Sequence, residues 1–321
     1  MAKLNKKGIF FTLVSITLLI LLVISLTGSH SIQSHNYDAI RAQFNILESH
    51  KRNLESYADN ILYVQSKNAL KDLVRYTYND GTIDNATLRF EELLMNGTLY
   101  GETSNAPSMV ENGIQNWTNR INDRALDFLQ IKSNLSIANP KINQTFPFRV
   151  NISADVMIDT AKGNMSYSSK DTYHVSLSIQ GLNDPLYYHN NLENTINRTT
   201  ITNFNYSSTL EMVEKSTYRH TEYAPSFLNR LENKTISSEC CGIESLVNAD
   251  LFGITSSDQY NRSYVDYLFW SKNRSCQNIV RPIYNFTEIS NEQAALGFKL
   301  DLDYMALYGM DDTDTHSTIC D

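Results

Sequence analysis

Two spacings of apolar residues divide the chain. From Ile9 to Leu26 there are 18 residues without a charge, interrupted only by Thr12, Ser15, Thr17 and Ser25. As a helix rising about 1.5 Å per residue the run is roughly 27 Å long, the thickness of a bilayer's hydrocarbon core, which predicts a transmembrane helix within residues 9–28. Lys3, Lys6 and Lys7 precede it and orient it with residues 1–8 in the cytoplasm and everything after Gly28 outside. Residues 37–78 then place Ile40, Phe44, Leu47, Leu54, Ala58 and Ile61 at steps of three, four and seven, continued by Leu70, Leu73 and Val74. That stripe predicts a long extracellular helix, with Lys51 and Gln65 interrupting what would otherwise be a heptad seam. Asn79-Asp80-Gly81 ends it with turn chemistry.

Shorter helices are expected over 88–95 and 115–137. The second presents Trp117, Ile121, Ala125, Phe128, Leu129 and Ile131 on its apolar face and closes at Asn139-Pro140. The period then changes to two. Alternation from Phe146 to Ile158 and from Tyr173 to Ile179, with Lys162-Gly163-Asn164 between, predicts a β-hairpin with one buried face. Residues 181–238 are polar and irregular, and Gly242 is expected to end a cysteine-bearing loop before a short helix. The fold class is therefore α+β: an N-terminal transmembrane helix continuing into a long extracellular helix, then a small antiparallel sheet with helices on one face. The expected divisions are a basic leader (1–8), the membrane helix (9–28), a helical stalk and helical region (29–140) and a β-rich, disulfide-stapled head (141–321).

Composition adds a location. The formal net charge is −8 and no run of five basic residues occurs, so nucleic acid is excluded as a partner. The N-x-S/T acceptor occurs 13 times, at Asn85, Asn96, Asn116, Asn134, Asn143, Asn151, Asn164, Asn197, Asn205, Asn233, Asn261, Asn273 and Asn285. All lie on the expected outer side, where glycans would solvate and shield the surface. The four cysteines, Cys240, Cys241, Cys276 and Cys320, fall in the last 82 residues, which favours two disulfides over a metal site. Neighbouring cysteines bond to each other only through a strained peptide, so Cys240 and Cys241 are each expected to reach a distant partner among Cys276 and Cys320, in either order.

Lys6-Lys7-Gly8 running directly into an apolar helix resembles the class III leader of archaeal type IV pilin-like surface proteins. Three later stretches resemble their ectodomains: Gly181-Leu182-Asn183-Asp184-Pro185, Ser226-Phe227-Leu228-Asn229-Arg230-Leu231-Glu232 with Gly242-Ile243-Glu244-Ser245, and Gly297-Phe298-Lys299-Leu300-Asp301-Leu302-Asp303. The resemblance implies a peptidase cut between Gly8 and Ile9 and a long helix serving as a spine for the head. Leu13 stands where many pilins carry a Glu, which suits a minor subunit. The group has no catalytic residues to carry over.

No catalytic motif is present: no H-E-x-x-H, no phosphate-binding Gly-rich loop, no G-x-S-x-G elbow. The seven histidines show no ligand spacing, and the acidic tail Asp301, Asp303, Asp311, Asp312 and Asp314 lacks the Gly and distal Glu of a calcium loop. The expectation is a non-enzymatic protein with no cofactor and no metal. It would be a single-pass cell-surface glycoprotein, pilin-like in a structural or adhesive role, whose partners are the bilayer through residues 9–28 and itself or similar subunits. A stand-alone extracellular binding or sensor domain is the rival reading.

Overall fold

The computed structural model describes residues 6–199, 206–248, 252–253, 263–271, 279–282, 300–301, 304, 307–308 and 315–317. No proline interrupts the first of these stretches until well past residue 79, and α1 is one helix, Lys6–Asn79, of 74 residues. It stops where Gly81 takes a φ of +109°. Among the described residues no helix is long and apolar enough to cross a membrane. The expected fold, a transmembrane helix followed by an extracellular one, is corrected accordingly. The apolar run is not an element of its own but part of α1, and its described side chains, residues 15–24, cover about 15 Å, half of a hydrocarbon core. What stands is an α+β architecture with a small antiparallel sheet.

After α1 come α2 (Ala86–Asn96) and α3 (Ile114–Leu129). The Asn85 side chain caps α2 by accepting from Leu88 N at 3.0 Å, and Gly97, in the left-handed region, closes it. The sheet follows: β1 (Lys132–Phe146), β2 (Arg149–Lys162) and β3 (Met165–Ser178), antiparallel with β2 in the centre. On β2 the residues Val150, Ile152, Ala154, Val156 and Ile158 are buried. Their alternates are not, so one face of the sheet is covered, by α1 against β2 and β3 and by α2 and α3 against β1. The β2–β3 turn at Gly163-Asn164 lies where the sequence places it.

Two helix limits change. Residues 132–137, expected to continue α3, are strand. Gln130 adopts a left-handed conformation and stops the helix, and Leu135 and Ile137 then pair with Ile158 and Val156 on the buried face. Asn139-Pro140 does not close a helix but sits in a bulge of this edge strand, where a residue without an N–H costs no ladder bond. Phe128, assigned to the apolar face of α3, is 81% exposed, and Phe146 lies at the β1–β2 turn rather than inside a strand.

The rest of the head consists of short pieces: α4 (Pro185–Tyr188), β4 (Asn197–Arg198), α5 (Tyr206–Lys215), β5 (Thr217–His220), α6 (Phe227–Leu231), β6 (Ile243–Glu244), α7 (Asp266–Phe269), β7 (Ile279–Pro282), β8 (Leu300–Asp301) and β9 (Thr315–Ser317). β4, β5 and β6 form one sheet and β8, β7 and β9 another. Gly242 leads into β6, not into the expected helix, because Ile243 and Glu244 pair with His220 and Arg219.

Gly242 cannot be replaced without moving backbone. A Cβ there would lie 2.1 Å from the Ala224 carbonyl oxygen and 2.5 Å from that of Thr221. Gly242→Ala is expected to lower stability by about 3 kcal/mol, the upper end of overpacking costs. Urea denaturation of the whole chain checks this.

Candidate functional site: a buried ion cluster beneath a tyrosine-lined cavity

The head's short elements meet on charge. Arg230, on α6, is fully buried, and its Nη1 donates to Asp184 Oδ2 at 2.5 Å and Asp266 Oδ2 at 2.9 Å. Its Nη2 donates to the Ile243 carbonyl and to Asp266 Oδ1. Asp184 caps α4 by accepting from Leu186 N at 2.9 Å and also accepts from the Tyr218 hydroxyl at 2.9 Å. Asn194 Nδ2 donates to that hydroxyl at 2.7 Å. Asp266, in the first turn of α7, further accepts from Ser245 N and Tyr267 N. One turn of sequence beyond Ile243, Glu244 accepts from Arg219 Nε at 2.5 Å and from the Tyr308 hydroxyl at 2.9 Å.

Three buried carboxylates (Asp184, Glu244, Asp266) thus face two guanidiniums (Arg219, Arg230), so the cluster holds one negative charge in excess. Burial pushes the Asp266 carboxyl up to about 7 against the opposing pull of Arg230, with Asp184 adding to the rise. Desolvation also raises Glu244, and it raises the hydroxyls of Tyr187, Tyr218 and Tyr308 far enough to keep them protonated donors. Being sealed, the cluster is an architectural device rather than a place for a substrate. Sequence motifs point to three of its members, Asp184, Arg230 and Glu244, but not to Asp266 or Arg219. Their only signal is a charged residue set among apolar neighbours, as in Val265-Asp266-Tyr267-Leu268.

Beside the cluster opens a cavity of about 610 Å³, walled by Tyr223, Thr235, Ser237, Tyr267, Leu268, Ser271, Tyr304 and Leu307. The hydroxyls of Tyr267 and Tyr304 meet in a hydrogen bond, and Tyr223 presents a ring that is 68% exposed.

Of the expected glycosylation sites, Asn85, Asn96, Asn116, Asn134, Asn143, Asn164, Asn197 and Asn233 are exposed and Asn151 is half-buried. Asn134, Asn143 and Asn151 share the open face of the sheet, Asn143 directly opposite Asn151. Asn205, Asn261, Asn273 and Asn285 lie outside the described residues. Gly8 and Ile9 stand in the first turns of α1. Cys240 and Cys241 are bonded to each other, with an S–S distance of 2.15 Å, in place of the expected distant partners. The segment's tight path brings both Cα atoms within 3.7 Å. Cys276 and Cys320 lie outside the described residues. So do Asp303, Asp311, Asp312 and Asp314 of the acidic tail, and among the described residues no group of three or more His, Cys, Asp or Glu could hold a metal ion. No family model, curated protein or solved structure matches the chain.

Removing the guanidinium of Arg230 leaves its carboxylates buried and unpaired, so Arg230→Met is expected to cost about 3–5 kcal/mol in urea denaturation. The raised Asp266 carboxyl sets a pH dependence. The folded state holds a proton that the unfolded state has released from about pH 4 upward. This contribution to stability is complete below that pH and is lost as pH rises through about 7. His50 and His189, whose pKa values burial lowers, act in the opposite sense, losing stability as pH falls below about 6.5. Comparing Asp266→Asn with the parent cancels the histidines. The variant's thermal midpoint is expected to gain on the parent's between pH 5 and pH 8.

Proposed function

We propose that the protein is a glycosylated cell-surface subunit of pilin-like character, structural or adhesive, which assembles with copies of itself or with similar subunits through the N-terminal arm of α1. The observation that carries this reading is the bareness of that arm. Ile16 and every residue from Leu18 to Ile24 are between 49% and 66% exposed, and Ile40 and Phe44 are exposed as well. The first described side chain of α1 to be buried is Leu47. Apolar surface of this extent favours cover by roughly 25 cal/mol per Å², and a contiguous patch of it marks an interaction site. The same arm of a neighbouring copy offers a surface of matching length and chemistry.

The sequons support the same assignment. None of the thirteen falls within α1, whereas three lie on the open face of the sheet. Bulky glycans there would leave the helix free to pack. Past the apolar arm, the i,i+4 pairs Glu48–Arg52 and Lys51–Glu55 mark the exposed surface of α1 with charge, a means of setting register between neighbours.

Native mass spectrometry of gently extracted protein is expected to return oligomers or complexes with similar subunits, with Ile9 as the mature N-terminus. Leu21→Asp should abolish the oligomer and leave the head's thermal midpoint unchanged. A strictly monomeric protein retaining Met1 or Ala2 would overturn the reading in favour of a stand-alone binding domain.

A further inference from the structure

The cavity beside the ion cluster has the size of a small-molecule site, within the roughly 300–1,000 Å³ usual for them. Its described lining combines aromatic rings with hydroxyls: Tyr223, Tyr267, Tyr304, Thr235, Ser237 and Ser271. Among the described residues it holds no carboxylate, guanidinium, ammonium or imidazole. A charged ligand would therefore lose its hydration without gaining a counter-charge, which disfavours it. The rings of Tyr267 and Tyr304 approach through their hydroxyls rather than by converging faces. That arrangement offers donors and acceptors to hydroxyl groups and does not form the aromatic cage that captures a quaternary ammonium. Tyr223, mostly exposed at the cavity, supplies a flat apolar surface with a polar tip.

We infer that this cavity is a binding site for a neutral saccharide, one face of the sugar ring lying on Tyr223 and its hydroxyls exchanging hydrogen bonds with those of Tyr304, Ser237 and Ser271. The inference rests on the cavity alone and holds whether or not α1 assembles. The ground beneath it is firm. Tyr267 follows directly on Asp266, which Arg230 holds, so the cavity wall is an extension of the cluster. Two sources share this chemistry, a glycan on a second copy of the chain and a glycan on another surface.

Saturation-transfer NMR and calorimetry on the full chain, with methyl glucoside, methyl mannoside, N-acetylglucosamine and lactose as probes and glucuronate and choline as charged controls, test it. At least one neutral sugar is expected to bind in the millimolar range or tighter, and neither control. Tyr223→Ala or Tyr304→Phe, whichever retains the parent's thermal midpoint, should weaken binding at least tenfold. Retention of soluble protein on immobilised glycosylated protein, but not on the enzymatically stripped form, assigns the glycan to a second copy. Equal, weak retention on both assigns it to another surface. No binding by any neutral sugar, tighter binding of a control, or both variants binding as tightly as the parent overturns the proposal.

Discussion

The head depends on one buried guanidinium. Between residues 181 and 271 the strands are two to four residues long and the helices α4, α6 and α7 only four or five, too short to hold one another by backbone ladders. Arg230 replaces the missing ladders. Its planar fork reaches Asp184 at the start of α4, Asp266 in α7 and the Ile243 carbonyl in β6, joining segments up to 46 residues apart. Tyrosines 218 and 308 extend the same network to β5 and to the 304–308 segment. An ion cluster so enclosed adds little net stability over an apolar core, but its fixed directions and charges select one arrangement among the many that loops could take.

The remainder of the protein is organised by the opposite kind of force. The sheet and the C-terminal part of α1 share an apolar core with α2 and α3, in which Leu54, Leu62, Leu70, Leu73 and Phe90 are buried. Polar residues inside it are few and partnered. With its amide oriented to suit its neighbours, Gln65 accepts from the Trp117 ring nitrogen at 2.9 Å and donates to the Asn112 carbonyl at 3.1 Å. This explains a polar residue in the stripe of α1, just as Lys51, at the other interruption, lies over the Tyr167 ring. A rigid body built on the last third of α1 thus carries a bare apolar arm on one side and a hydroxyl-rich cavity on the other. Separate surfaces for assembly and for ligand are what an adhesive subunit requires.

The local sequence decided what depends on neighbouring residues. Continuous periodicity without a proline made 37–78 helical, alternation over 148–158 and 173–179 made strands, and Gly163-Asn164 turned them. Length alone failed at the N-terminus: the uncharged run 9–26 reads as a membrane span, whereas the chain forms one helix from Lys6 to Asn79 and no span is found among its described residues. Local reading also failed at 132–137, where helical and strand periods compete and pairing of Leu135 and Ile137 with β2 settled the matter. Only the tertiary structure could pair Arg230 with Asp184 and Asp266, because a buried charge selects its partners by position in space and not by spacing along the chain. It alone put Cys240 against Cys241, and it alone brought Tyr223, Tyr267 and Tyr304, 81 residues apart from first to last, around one cavity.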